Sequence, residues 1–193
     1  MLGLFGAIPL WLAPDLALTP VGAIFESISG LTTTGATVIT GLDKLPQSLL
    51  FYRQLLQWLG GIGIIVLAVA ILPMLGIGGM QLYRAESAGP SKDRKLTPRI
   101  TSTAKALFGI YLLLTIACAA SYFAAGMPMF HAICHAFSTV AIGGFSTHDA
   151  SLGHYEQNRV LLVSSVFMLL SAINFGLHFI CLLYTSPSPR DIS

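Results

Sequence analysis

Two short segments carry the residue types and spacing from which an ion path could be built. The first is Phe25-Glu-Ser-Ile-Ser-Gly-Leu-Thr-Thr-Thr-Gly35 and the second is Ile133-Cys-His-Ala-Phe-Ser-Thr-Val-Ala-Ile-Gly143. Each reads as a short helix running into a glycine, and the two glycines stand 108 positions apart. Neither segment can cross a bilayer, which takes roughly 20 apolar residues, and both are too apolar for ordinary loops. Non-helical backbone at membrane depth survives only where protein buries it or where it lines a watery path. A short helix followed by an extended Thr/Gly stretch is what a re-entrant pore loop requires. The C-terminal ends of the two helices would present partial negative charge to a passing cation. Glu26, in the first helix, could attract cations as well; it could equally cap or pair within the fold.

One other cluster has ligand chemistry. His131, Cys134 and His135 fall on one face of a helix, which would suit a metal and, with it, a membrane-embedded metalloenzyme. Zinc wants four ligands, or three plus water, and no acidic or cysteine partner stands nearby in the sequence. Packing inside the second short helix is the competing account. Cys118, Cys134 and Cys181 form no CxxC pair and no disulfide framework; Cys118 and Cys134 read as small buried hydrophobes.

The elements that must hold these segments are apolar helices. Apolar residues make up 54% of the chain and charged residues 9%, with a mean hydropathy of +0.77. That is far from the usual quarter of charged residues and places the chain in a lipid bilayer. The net charge of +2 gives no footprint for nucleic acid. Spans are expected at 55–75, 106–125 and 160–180. Residues 2–13 cover only about twelve positions, too few for roughly 30 Å, and read as the outer end of a helix whose beginning is missing. Prolines after Thr19, Leu45, Thr97 and Met127 mark helix starts, with Thr19 and Thr97 as N-caps. The glycine clusters at 60–63 and 76–79 allow close helix approach. Asn174 and His178 are polar at membrane depth and should face protein or pore.

Charge sets the orientation. Arg84, Lys92, Arg94, Lys95, Arg99 and Lys105 crowd the 76–105 loop against only Glu86 and Asp93, which puts that loop in the cytoplasm. The other side carries Asp15, Glu26, Asp43, Asp149 and Glu156 against Lys44, Arg53 and Arg159. The resulting architecture is all-α and integral to the membrane: tandem units of helix, re-entrant loop and helix. The first unit is 1–75, the cytoplasmic connection 76–97 and the second unit 98–180. Potassium channels arrange four such units around an axis, so two copies leave the path incomplete. Residues 181–193, Cys-Leu-Leu-Tyr-Thr-Ser-Pro-Ser-Pro-Arg-Asp-Ile-Ser, break the pattern and resemble a translated sequencing adapter.

Residues 25–41 (FESISGLTTTGATVITG), 54–83 (QLLQWLGGIGIIVLAVAILPMLGIGGMQLY) and 137–151 (FSTVAIGGFSTHDAS) resemble the TrkH branch of the Trk/Ktr/HKT potassium transporters. The resemblance implies units one and two of four in a potassium-uptake pore of the bacterial inner membrane. It also implies a homodimeric parent that binds a cytosolic TrkA-like nucleotide-binding regulator, with no cofactor beyond the transported ion. A dehydrated potassium ion needs rings of carbonyl oxygens in place of its water shell, and glycine permits the backbone angles that aim them. Thr33, Thr34 and Gly35 are expected to line the path in the first loop and Ala141, Ile142 and Gly143 in the second, Thr34 corresponding to Ile142. Sodium-favouring relatives often carry serine where Gly35 stands. A truncated, nonfunctional reading frame is the remaining alternative.

Overall fold

The computed structural model describes residues 1–71, 93–155 and 157–172, with side chains for 1–63, 104–155 and 157–172. Among the described residues all regular secondary structure is helical, without a strand. We number the α-helices α1 (Leu2–Leu12), α2 (Pro20–Leu31), α3 (Gln47–Ile71), α4 (Asp93–Ala124), α5 (Met129–Val140) and α6 (Asn158–Ala172). Tight 3-10 turns occupy Leu42–Lys44 and Ser151–His154. The chain divides into two units, and both short loops belong to the first, Met1–Gly61 with Leu112–Ile173. In the second, Ile62–Tyr111 and Asn174–Ser193, the described backbone consists of the C-terminal part of α3 and the N-terminal part of α4.

Helix starts follow the local chemistry at three of the four expected prolines. The Thr19 hydroxyl accepts from the Gly22 amide at 3.1 Å, and Pro20 takes the first helical position, where no donor is needed. Pro46 and Pro128 stand just before α3 and α5, and their carbonyls accept from Leu50 at 3.3 Å and Ala132 at 2.9 Å. The fourth differs. α4 begins at Asp93 and continues through Pro98, so Thr97 is an interior residue and not an N-cap. Proline costs a helix most in its interior and least near its start, and Pro98 stands only five positions beyond Asp93.

One helical stretch among the described residues, Ala104–Ala124, is long and apolar enough to cross a membrane. Of the expected spans, 72–75 and 173–180 lie outside the described residues, as do Asn174, His178, the 76–79 glycines and the 181–193 tail.

The core of the first unit gathers around the two short helices. Ala7 and Leu10 of α1 pack with Ala23 of α2 and Leu56 of α3. A Cβ on Gly3 would come within 2.8 Å of the Ile28 side chain, so α1 and α2 approach closely through that glycine. The carbonyl of Gly6 also accepts from the Tyr52 hydroxyl at 2.9 Å, tying α3 to α1. A second cluster, Ile39, Leu42 and Leu50 with Phe130 against it, lies under the segment that leaves the first loop. Around α5, the Trp58 ring stacks on Phe137 with centroids 5.1 Å apart, and the Tyr122 hydroxyl meets that of Thr139 at 2.7 Å.

Candidate functional site

Both short helices end in the same device. In α2 the Thr33 amide donates to the Gly30 carbonyl and the Thr34 amide to the Ser29 carbonyl, each at 2.9 Å. In α5 the Ile142 amide donates to Thr139 at 3.1 Å and the Gly143 amide to Ser138 at 2.9 Å. This is the Schellman termination, which needs one left-handed residue just past the helix. That residue is usually glycine. Here it is β-branched in both copies, Thr33 at φ 55° and Ile142 at φ 53°, a strained choice for such side chains. Two residues later the backbone turns left-handed again, at Gly35 (φ 77°) and Gly144 (φ 88°).

The repeat register follows from these pairs. Pro20 to Met129, Leu31 to Val140, Thr33 to Ile142 and Gly35 to Gly144 are each separated by 109 positions. The glycine-to-glycine spacing of 108 is therefore corrected by one. Thr34 corresponds to Gly143 and not to Ile142, and Ala141 is the counterpart of Thr32, both being helix C-caps. The doubled Gly143-Gly144 is the reason: the first glycine of the pair attracts the alignment, but the second carries the left-handed turn.

The same register pairs Glu26 with His135 and Thr37 with Ser146. In the first loop the Thr37 hydroxyl and the Val38 amide donate to the Glu26 carboxylate at 2.9 and 3.1 Å. In the second, His135 Nε2 meets the Ser146 hydroxyl at 3.1 Å. Glu26 is fully buried, and so is Arg53 of α3, whose Nη2 and Nε donate to the carboxylate at 2.6 and 2.8 Å. Nη2 also reaches the Thr37 hydroxyl at 3.0 Å, and Nη1 reaches the Ser146 carbonyl at 3.3 Å. The guanidinium lies 4.4 Å from the centre of the Phe145 ring. Glu26 and Arg53 therefore cancel each other inside the fold, and neither is a solvated marker of membrane side.

One turn further along α3, the Gln57 Oε1 accepts from the Ser138 hydroxyl at 2.9 Å and from the Phe145 amide at 3.2 Å. A backbone amide can only donate, so this contact fixes which end of the Gln57 amide faces the second loop. Nε2 is left without a partner among the described residues. Arg53 and Gln57, four apart and so on one helix face, make α3 a strut that touches the second loop directly and, through Arg53, the first.

The loops also touch each other. A Cβ built on Gly35 would overlap the carbonyl oxygen of Gly143, and one on Gly143 would overlap the Gln57 amide. At Gly144 a Cβ would meet nothing within 4 Å. Gly60 lets α3 pass the end of α2 so closely that a Cβ there would overlap the Leu31 carbonyl.

His131, Cys134 and His135 do not converge. Nδ1 of His131 bonds the Thr147 hydroxyl at 2.8 Å, and Nδ1 of His135 bonds the His131 carbonyl at 3.0 Å. Cys134 is fully buried. Beyond the loops, Asp149 accepts from the Gly41 and Leu42 amides at 3.0 and 3.1 Å, and His148 contacts the Asp43 carboxylate. That hydrogen bond holds the Asp43 carboxyl below its ordinary range, while burial pushes the Tyr155 hydroxyl up to about 12.

Sequence reasoning missed Gly144, Gln57 and the pairing role of Arg53. For the first, a signal was present: Ser29/Ser138 and Thr37/Ser146 align only at 109. For the other two there was little, because a lone arginine and glutamine on an apolar helix name no partner.

A family model described as TrkH, cation transport protein, matches residues 2–192. The chain is 64% identical over 180 residues to the Trk system potassium uptake protein TrkH of Halomonas elongata, and 59% identical over 179 residues to that of Escherichia coli K12. Both alignments cover 93% of this chain and 37% of the relative. The Trk system potassium uptake protein TrkG of Escherichia coli K12 is 51% identical over 194 residues, covering all of this chain and 40% of the relative. Among solved structures, the crystal structure of the potassium transporter TrkH from Vibrio parahaemolyticus superposes with a TM-score of 0.83 at 53% identity, over 98% of this chain and 37% of that one. The chain thus spans a little over a third of the length of these relatives.

Proposed function

The chain belongs to the TrkH cation transport family, and on that premise we propose that it supplies two of the pore-loop repeats of a potassium-uptake pore in the bacterial inner membrane. Ions pass along the backbone of Thr33, Thr34 and Gly35 in the first loop and of Ile142, Gly143 and Gly144 in the second, with Ala141 as the helix cap behind it. The observation that carries this reading is the paired alternation of left-handed residues, Thr33 with Gly35 and Ile142 with Gly144. Alternating handedness is the backbone pattern that lets successive carbonyls face one side, as the replacement of a potassium ion's water shell requires. Strain kept at the same place in two copies supports a functional rather than a packing origin.

Further repeats of the full-length protein close the remaining walls. The membrane potential drives uptake, at about 2.3 kcal/mol per charge for each 100 mV, and no cofactor takes part. Glu26 serves here as the anchor of the first loop, its charge matched by Arg53. The basic 76–105 stretch, helical from Asp93 onward and so not a loop over its whole length, faces the cytoplasm. The full-length protein forms a dimer and engages a cytosolic nucleotide-binding regulator of the TrkA kind, for which that stretch is a docking surface. The family is one of transporters, and no enzymatic step is assigned.

The test is a sodium/potassium permeability ratio on the full-length protein in proteoliposomes. Gly144→Ser is the cleaner probe, because only its backbone angle and no neighbour opposes a side chain. Lowered potassium preference is expected. A ratio unchanged in both Gly144→Ser and Gly35→Ser removes these segments from the ion path.

A further inference from the structure

We propose that Asp43, His148 and His154 form a site for a borderline first-row divalent cation of the zinc class, joining the segments that leave the two loops. One ligand atom from each residue, a carboxylate oxygen and two imidazole nitrogens, lies within 4.8 Å of the others. Metal bonds of about 2.0–2.2 Å place tetrahedral donors about 3.3 Å apart, so the direct Asp43–His148 contact must open to admit the ion while His154 swings in. Asp43 and His154 are exposed and free to move in that way.

The surroundings of His148 are those of a ligand histidine. Its Nδ1 faces the Asp43 carboxylate, and its Nε2 stands 3.2 Å from the Tyr155 hydroxyl. A ligating imidazole donates its other N–H to such a partner, which fixes both tautomer and ring orientation. Without metal, Nδ1–H donates to the Asp43 carboxylate and the Tyr155 hydroxyl donates to Nε2; a bound cation would take the Nδ1 lone pair and shift the ring proton to Nε2, toward Tyr155. The His154 ring lies flat on that of His148, centroids 3.7 Å apart and planes within 3°. Its nitrogens make no hydrogen bond among the described residues, and a modest rotation out of the stack aims one at the shared ion.

The donor set decides the kind of ion. Two neutral imidazoles and one carboxylate suit zinc, nickel or copper(II), whereas potassium, magnesium and calcium need oxygen shells. The site is therefore chemically separate from the ion path, with solvent completing the fourth position. It spans both repeats: Asp43 follows the first loop, and His148 and His154 follow the second. Asp149, beside His148, already bonds the Gly41 and Leu42 amides, so a bound cation would add a second tie across an existing contact.

Tag-free full-length protein in detergent, titrated calorimetrically with zinc chloride, tests this directly. One zinc per chain is expected, with affinity at least tenfold weaker in His154→Gln and in Asp43→Asn. Both substitutions fall on exposed side chains, so the fold should tolerate them. No saturable zinc binding overturns the proposal, and so does an affinity unchanged in both variants, which would put the metal elsewhere. Potassium flux measured on the same preparations in chelator-treated buffer is read separately. Absent flux with zinc binding intact counts against the transport reading and leaves the metal site standing.

Discussion

The two loops share a backbone and differ in how side chains hold it. In the first, support is local and charged: Glu26 accepts from Thr37 and Val38 of its own loop, and the Ser29 hydroxyl donates to the Ala36 carbonyl at 2.6 Å. In the second, His135 and Ser146 make a neutral pair, and the Ser138 hydroxyl turns away from its own loop to Gln57 of α3. The first loop is thus tethered mainly from within its own repeat and the second largely from the repeat before it. An identical backbone is compatible with either scheme, so the shape of the loop is what both repeats retain. The helix residues confirm the asymmetry. Counted from the helix starts, Gln47 and Asn158, α6 carries Ser164 and Met168 at the positions of Arg53 and Gln57, and the Ser164 hydroxyl donates within its own helix, to the Leu161 carbonyl.

The largest effect should come from removing the charged tether that α3 supplies. Arg53→Leu strands the buried Glu26 carboxylate, and removing one partner of a buried pair costs about 3–5 kcal/mol. Thermal unfolding of the full-length protein, followed through thiol labelling of the buried Cys118 and Cys134, should fall sharply. The double variant Arg53→Leu/Glu26→Gln should recover much of the loss. A single variant as stable as the parent would mean the charged tether is dispensable.

Next come the left-handed glycines, which separate contact from conformation. Gly35→Ser meets both a positive φ and the Gly143 carbonyl, whereas Gly144→Ser meets the φ alone, for which about 1–2 kcal/mol is expected. Stability and potassium preference should both fall further for Gly35→Ser. Equal effects would show that the loops do not press on each other as described.

Gln57→Leu leaves the buried Phe145 amide without its acceptor, a loss of about 1–3 kcal/mol. It should loosen the second loop only, seen as faster hydrogen exchange at 143–146 with 33–38 unchanged. The smallest effect belongs to Asp149→Asn on an exposed segment. The amide oxygen can still accept from Gly41 and Leu42, so about 0.5–1 kcal/mol should be lost.

How much of this was legible in the sequence depended on whether a feature is local. The short helices, the Thr19 cap and Pro20 are written in adjacent residues, and the structure has them. The membrane class follows from composition, and the family assignment agrees with it. The register failed by one residue because two adjacent glycines are equivalent as letters, and only backbone angles tell them apart. Arg53 and Glu26 entered the charge balance of one membrane side, and pairing was open for Glu26 without a named partner, since a buried pair formed by residues 27 positions apart has no sequence signature. α4 begins before Thr97-Pro98 because proline is a probable helix boundary and not a certain one.

The reach of Arg53 also has a consequence in time. Its carboxylate partner precedes it on the chain, but the Ser146 carbonyl comes 93 residues later. At a synthesis rate of about 5–20 residues per second, that carbonyl emerges about 5–20 s after the guanidinium. The newborn first repeat must therefore bury its arginine against Glu26 and Thr37 alone, leaving one arm of the fork vacant for the second repeat to find. Force-sensitive arrest sequences placed along the chain should register two separate pulls, one as the first repeat closes and another when Ser146 arrives.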